Sequence, residues 1–166
     1  MRCTVDTNVP IVANGRPDPT EQSRRPSIDC RLKAVARLTE LRAHGTILLD
    51  MAGEIQKEYR RYLSPSGQPG VGDLFYREII NSAPGRVERV DLPQLPSGEY
   101  QDFPTDPALA RFDPSDRKFA ALSRRERAPV VTATDSDWID HRSALEANGV
   151  QIEFVCGCDR KRWFEP

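Results

Sequence analysis

Apolar positions along the chain fall into short runs and helical stripes that alternate. A run opening at Cys3 and closing at Val5 reads as a buried strand, and it ends on Asp6, Thr7 and Asn8. Residues 14–26 are rich in Pro, Gly, Asp and Arg and predict a loop. Ser27 then caps a helix whose apolar positions, Ile28, Leu32, Val35, Leu38 and Leu41, recur every three or four residues. His44-Gly45 stops it, with the glycine free to turn left-handed. Residues 46–50 form a second buried strand. Ile55, Tyr59, Tyr62 and Leu63 mark one face of a second helix, which ends at Ser64-Pro65-Ser66-Gly67.

A third helix is predicted over 73–81 and a third strand over 87–92. The proline-containing stretch that follows has little periodicity and predicts a surface excursion with one helical turn near 107–111. Asp113-Pro114 opens a fourth helix with Phe119, Ala120 and Leu122 inward. Residues 130–132 read as a strand, 138–148 as a single helix stopped by Gly149, and 150–155 as the last strand. Strand and helix alternate throughout. The expected architecture is α/β, a single-domain α/β/α sandwich with a mostly parallel five-stranded sheet. Residues 1–155 would form its core and 156–166 a polar tail.

Composition narrows the class. The 166 residues suffice for one ordinary domain with a real core. With 38% hydrophobic and 30% charged residues the chain is globular rather than disordered, and no run is apolar enough to span a bilayer. The first residues lack the apolar core of a signal peptide, so a cytoplasmic protein without a membrane partner is expected. In that compartment Cys3, Cys30, Cys156 and Cys158 are expected as free thiols. Net charge is −1, from 24 Lys+Arg against 25 Asp+Glu. The arginines come in clumps: Arg24-Arg25, Arg60-Arg61, Arg124-Arg125 with Arg127, and Arg160-Lys161-Arg162. If the acids gather in one pocket, the remaining surface is basic on balance, as nucleic-acid chemistry needs. The simpler account of any single clump is a solvated helix face.

The acids sit at matching ends of the predicted elements. In open parallel sheets ligands bind beyond the carboxyl ends of the strands, where strand order reverses. Asp6 ends the first strand and Asp135 follows the fourth, so adjacent first and fourth strands would bring them face to face. The helix near Asp113 and Asp116 aims its amino end at that rim, and Glu58 lies on the helix after the second strand. Two carboxylates ~4 Å apart repel by about 1 to 4 kcal/mol, so such a cluster needs a cation or protons. Oxygen ligands suit Mg²⁺ or Mn²⁺, and Cys and His at zinc-site spacing are too few. Such ions turn a bound water into hydroxide and steady the leaving oxygen of a phosphodiester.

Several of these residues have purely structural accounts. Asp113 before Pro114 makes a good helix cap, worth about 0.5 to 2 kcal/mol, which leaves it secondary. Asp116, in the first turn, favours the helix dipole with or without a metal. Glu54 serves the dipole of its own helix, whereas Glu58 beside Tyr59 lies on the apolar stripe, costly unless paired. Asp137 equally caps the helix at Trp138. Cys156-Gly157-Cys158 reads as a terminal loop, and His44 and His141 as a helix end and an exposed helix face.

Four segments together resemble a known family: Val5-Asp6-Thr7-Asn8-Val9; Ile55-Gln56-Lys57-Glu58-Tyr59 with Leu63; Asp113-Pro114-Ser115-Asp116-Arg117-Lys118-Phe119-Ala120; and Val131-Thr132-Ala133-Thr134-Asp135-Ser136-Asp137-Trp138. Over nearly its whole length the chain resembles a PIN domain, the metal-dependent nuclease fold used by the toxin half of many bacterial toxin–antitoxin pairs. The resemblance implies an endoribonuclease that hydrolyses single-stranded RNA, with DNA as the other candidate, through metal-activated water. It implies Asp6, Glu58, Asp116 and Asp135 as catalytic acids and metal ligands, with Mg²⁺ or Mn²⁺ as cofactor and Asp137 as an auxiliary ligand. Asn8 or Thr7 would hold Asp6 or a metal-bound water, with Asp113 and Thr132 supporting. It also admits an antitoxin partner and a homodimer, for which Leu74, Phe75 and Tyr76 are candidate contacts. The competing reading is a non-catalytic PIN-like module that binds RNA or protein, which has no need for mutually repelling acids. A receiver or haloacid-phosphatase domain would want an acid at position 8, which is Asn.

Overall fold

Cys3, Val5, Leu48, Leu49, Val130 and Val131 are all fully enclosed, and they form the middle of a five-stranded sheet. The structure is a computed structural model that describes residues 1–19, 21–81 and 84–166. The strands are β1 (Arg2–Val5), β2 (Thr46–Asp50), β3 (Val87–Val90), β4 (Val130–Thr132) and β5 (Ile152–Phe154), in spatial order β3-β2-β1-β4-β5. Every pairing is parallel. The inner strands read as continuous apolar runs because helices cover both faces. Those helices are α1 (Asn8–Ala13), α2 (Ile28–His44), α3 (Glu54–Tyr62), α4 (Val71–Asn81), α5 (Arg117–Glu126), α6 (Ser136–Asp140) and α7 (Arg142–Ala147). Helices α1, α2 and α4 pack on one another, while α3 and α5 pack together against β1 and β2. The architecture is the expected α/β/α sandwich, and no helix among the described residues is long and apolar enough to cross a membrane.

Several local expectations change. The start of the expected loop is preceded by α1, whose six residues are all buried. Asn14, just after α1, accepts hydrogen bonds from the Gly72 and Asp73 N–H groups. The two helices approach so closely that a Cβ at Gly72 would lie 2.1 Å from the Pro10 carbonyl oxygen. Ser27 caps α2 as expected, accepting from the Cys30 N–H at 3.2 Å. The buried face of α2 is nevertheless Cys30, Ala34, Leu38 and Leu41, with Val35 half-buried and Ile28 and Leu32 exposed. Helices α1 and α4 pack against α2. Gly45 is extended (φ −96°) rather than left-handed; it is glycine because a Cβ would meet the Leu41 carbonyl oxygen at 2.7 Å.

Helix α5 begins at Arg117, three residues past the expected start. Asp113 instead accepts from the Ser115 N–H and hydroxyl at 2.8 and 2.9 Å, closing a turn ahead of the helix. The single helix expected over 138–148 is two, α6 and α7, meeting at His141. His141 is half-buried, not exposed, and its Nδ1 lies 3.0 Å from both the backbone and a carboxylate oxygen of Asp137. The excursion over 91–112 is packed: Phe103, Leu109 and Phe112 are buried, and Phe103 and Phe112 stack at 6.0 Å. Phe75 and Tyr76, candidate dimer contacts, are buried against Tyr59 and offer no surface.

The C-terminal tail also belongs to the core. Trp163 and Phe164 are buried, and the Trp163 carbonyl accepts from the Ser27 N–H at 2.7 Å. This brings Cys156 against the first turn of α2, where it forms a disulfide with Cys30. The expectation of free thiols therefore holds only for buried Cys3 and exposed Cys158.

Candidate metal centre

The sheet order makes β1 and β4 neighbours, and strand order reverses between them, so the crevice at their carboxyl ends is where a ligand is expected. Asp6 leaves β1 there, its N–H still donating to the Val131 carbonyl at 2.9 Å. Asp135 follows β4 and caps α6, accepting from the Asp137 N–H at 2.9 Å. Asp116 sits at the start of α5. One oxygen from each of Asp6, Asp116 and Asp135 lies within 4.8 Å of the others, and all three residues are buried.

Asp6 is held by an extensive set of donors. Its Oδ2 accepts from Asn8 Nδ2 at 2.6 Å, Thr132 Oγ1 at 3.0 Å and Trp138 Nε1 at 2.8 Å. Asn8 is fixed in turn, its Oδ1 accepting from the Ala133 N–H at 2.8 Å. The Trp138 ring is fully enclosed, with the Phe112 ring edge-on at 5.0 Å. Behind β1, the Tyr59 hydroxyl donates to the Val5 carbonyl. These contacts fix Oδ2, whereas Oδ1 accepts from the Asn8 N–H at a long 3.5 Å and keeps a spare lone pair. The Asp116 side chain has no hydrogen-bond donor among the described residues.

Burial and mutual repulsion dominate the electrostatics. Burial, then the Asp135 and Glu58 charges, push the Asp6 carboxyl well above the usual carboxylate range, against the Thr132 and Asn8 hydrogen bonds. Burial, followed by the Asp6 and Asp135 charges, raises Asp116 to about 11. Burial lifts Asp135 to about 7, opposed by the Asp137 N–H and aided by the charges of Asp18, Asp137 and Glu21. Without a cation this cluster holds protons at neutral pH. With one it can ionise.

Three other expected site residues are placed differently. Glu58 lines the same pocket but is not among the three acids that can share an ion. Its Oε1 accepts from Thr7 Oγ1 at 2.5 Å and its Oε2 from Lys118 Nζ. Asp137 is occupied elsewhere, accepting from the Asp113 N–H at 2.7 Å and facing His141. Asp113 lines the pocket mouth with its own turn to close. Thus Asn8 and Thr132 support Asp6, while Thr7 supports Glu58. Glu54 pairs with Lys57 on the surface, and the cap of α3 is Asp50, which accepts from the Glu54 and Ile55 N–H groups.

Other contributors were not anticipated. Trp138 follows the Asp135-Ser136-Asp137 segment, and a buried indole N–H needs an acceptor, which was the available clue. Lys118 sits within an apolar helical stretch, where a lysine signals a buried partner. Asp18 and Glu21, which follow α1, reach the site: Thr134 Oγ1 donates to buried Asp18 at 2.6 Å, and the Ser136 N–H and hydroxyl donate to Glu21 at 2.8 and 2.5 Å. Nothing in a loop's periodicity announces this. Among the arginine clumps, Arg61 lines the site pocket, while Arg125 and Arg160 pair with Asp102 and Asp140.

Fold and site together define an α/β/α sandwich with a three-carboxylate centre at its topological switch point. No family model, curated protein or solved structure matches the chain.

Proposed function

We propose that the protein is a PIN-type nuclease that uses Mg²⁺ or Mn²⁺ to cut single-stranded RNA, with Asp6, Asp116 and Asp135 holding the ion. The observation that carries this reading is the triad itself, three buried carboxylates with oxygens within 4.8 Å of one another. The donor set fits a hard cation, being all oxygen and free of sulfur or imidazole. A bound ion of this kind supplies a nucleophile at neutral pH and neutralises charge on the phosphodiester.

The chain's own residues have distinct tasks in this reading. Asn8, Thr132 and Trp138 orient Asp6 and favour its ionised form. Asp135 is oriented by the Asp137 N–H. Arg61 lines the pocket without an ion-pair partner among the described residues, which leaves its guanidinium for a phosphate. The toxin role and the antitoxin partner belong to the same proposal and rest on the sequence resemblance.

The test is cleavage of labelled single-stranded RNA and DNA with Mn²⁺, with Mg²⁺ and with EDTA, alongside Asp6→Ala and Asp116→Ala. Metal-dependent cutting of RNA, lost in both folded variants, is expected. Cutting retained in both variants sinks the mechanism. A folded protein that neither cuts nor binds Mn²⁺ is a binding module instead.

A further inference from the structure

Among the acids that line the pocket outside the triad, Glu58 is ion-paired to a buried lysine, Lys118. Glu58 comes from the middle of α3 and Lys118 from the first turn of α5, two positions after Asp116. Lys118 is 6% exposed, and its ammonium donates both to Glu58 Oε2 and to the Ser115 carbonyl. The other oxygen of Glu58 accepts from Thr7 Oγ1. Both Glu58 oxygens are therefore engaged, and the ammonium is held by two acceptors in a nearly dry site. A lysine buried this deeply is fixed by its partners and does not sweep through solvent.

From this arrangement we infer that Lys118 sets the metal count of the centre: it occupies Glu58 and restricts the site to one divalent ion, held by Asp6, Asp116 and Asp135. This inference rests on the metal reading of the triad. A second ion would draw on Glu58, since the other acids that line the pocket, Asp113 and Asp18, accept from Ser115 and from Thr134. Glu58 could serve only by releasing Lys118, and the ion would then lie beside an ammonium of like charge. The pair thus puts a positive charge on the carboxylate that a second ion would need. Lys118 is a positioning residue here, acting on the site through Glu58.

The experiment is calorimetric titration of the folded protein with Mn²⁺, with electron paramagnetic resonance of the saturated samples. Wild type is expected to bind one ion and give the spectrum of isolated Mn²⁺. Lys118→Met keeps the length of the side chain and frees Glu58; it should bind two ions and show an exchange-coupled pair. Adding Glu58→Gln to that variant should return it to one. Glu58→Gln alone should keep the single site, weakened less than tenfold. Two ions in wild type, one ion in folded Lys118→Met, or a loss beyond a hundredfold in Glu58→Gln each overturn the inference while leaving a metal centre in place. If Lys118→Met does not fold, the wild-type count and Glu58→Gln decide the question. Absence of Mn²⁺ binding in wild type overturns the metal reading itself.

Discussion

Replacing Asp135 by Asn should stabilise the metal-free protein, and by more at high pH than at low. Asp135 lies at about 7 in the fold against an ordinary 3.8, so the folded state holds this proton more tightly than the unfolded chain. The contribution favours folding below about pH 4 and is lost as the pH rises through about 7. Across that interval ionising Asp135 costs roughly 4 kcal/mol, of which about 3 falls between pH 5 and pH 8. Water entry and small side-chain movements relieve part of this. An Asn at the same position is as good a helix cap as Asp and keeps the bond from the Asp137 N–H. The variant should therefore gain about 2 to 4 kcal/mol at pH 8 and about 1 at pH 5. In a chain of this length each kcal/mol moves Tm by roughly 2 to 4 °C. Urea unfolding in EDTA at the two pH values measures the difference directly. Mn²⁺ should then raise the Tm of the wild type and leave that of the variant nearly unmoved. A variant no more stable than wild type at pH 8, or one whose advantage is the same at both pH values, would refute the electrostatic account of the triad.

Trp138→Phe keeps an aromatic ring against Phe112 but removes the N–H on Asp6 Oδ2; Mn²⁺ affinity should fall roughly 10- to 100-fold by calorimetry. A change below threefold means that the indole does not tune Asp6. Gly72→Ala drives a Cβ to 2.1 Å from the Pro10 carbonyl oxygen, forcing α1 and α4 apart at a cost of about 1 to 3 kcal/mol. The check is the urea midpoint, and an unchanged value would contradict the close approach of the two helices. Arg61→Ala should weaken single-stranded RNA binding and lower the slope of log K against log salt by about 0.7. An unaltered slope rules out a phosphate contact at this guanidinium.

Much of this protein was legible in the chain because periodicity is local. The strands at Cys3–Val5, Thr46–Asp50 and Val130–Thr132 are short apolar runs bounded by turns, and their alternation with helices specifies a parallel sheet. Asp6 and Asp135 follow strand ends, so the rim they share could be read once that sheet was assumed. Which side chains meet across that rim is a different kind of information. Glu58 and Lys118 are 60 residues apart in sequence, and Trp138 and Asp6 are 132 apart. Their contacts depend on how α3, α5 and α6 settle against β1. The same packing turned Cys30 inward and Ile28 outward on α2, although both fit a helical repeat. It also folded the tail back so that Cys156 reached Cys30. The sequence by itself determined the elements and their order, because propensity and period act over a few residues, and its resemblance to a PIN domain singled out four acids. Only the tertiary structure decided that three of those acids converge while Glu58 is taken by a lysine, because burial cost and charge pairing are settled between elements distant along the chain.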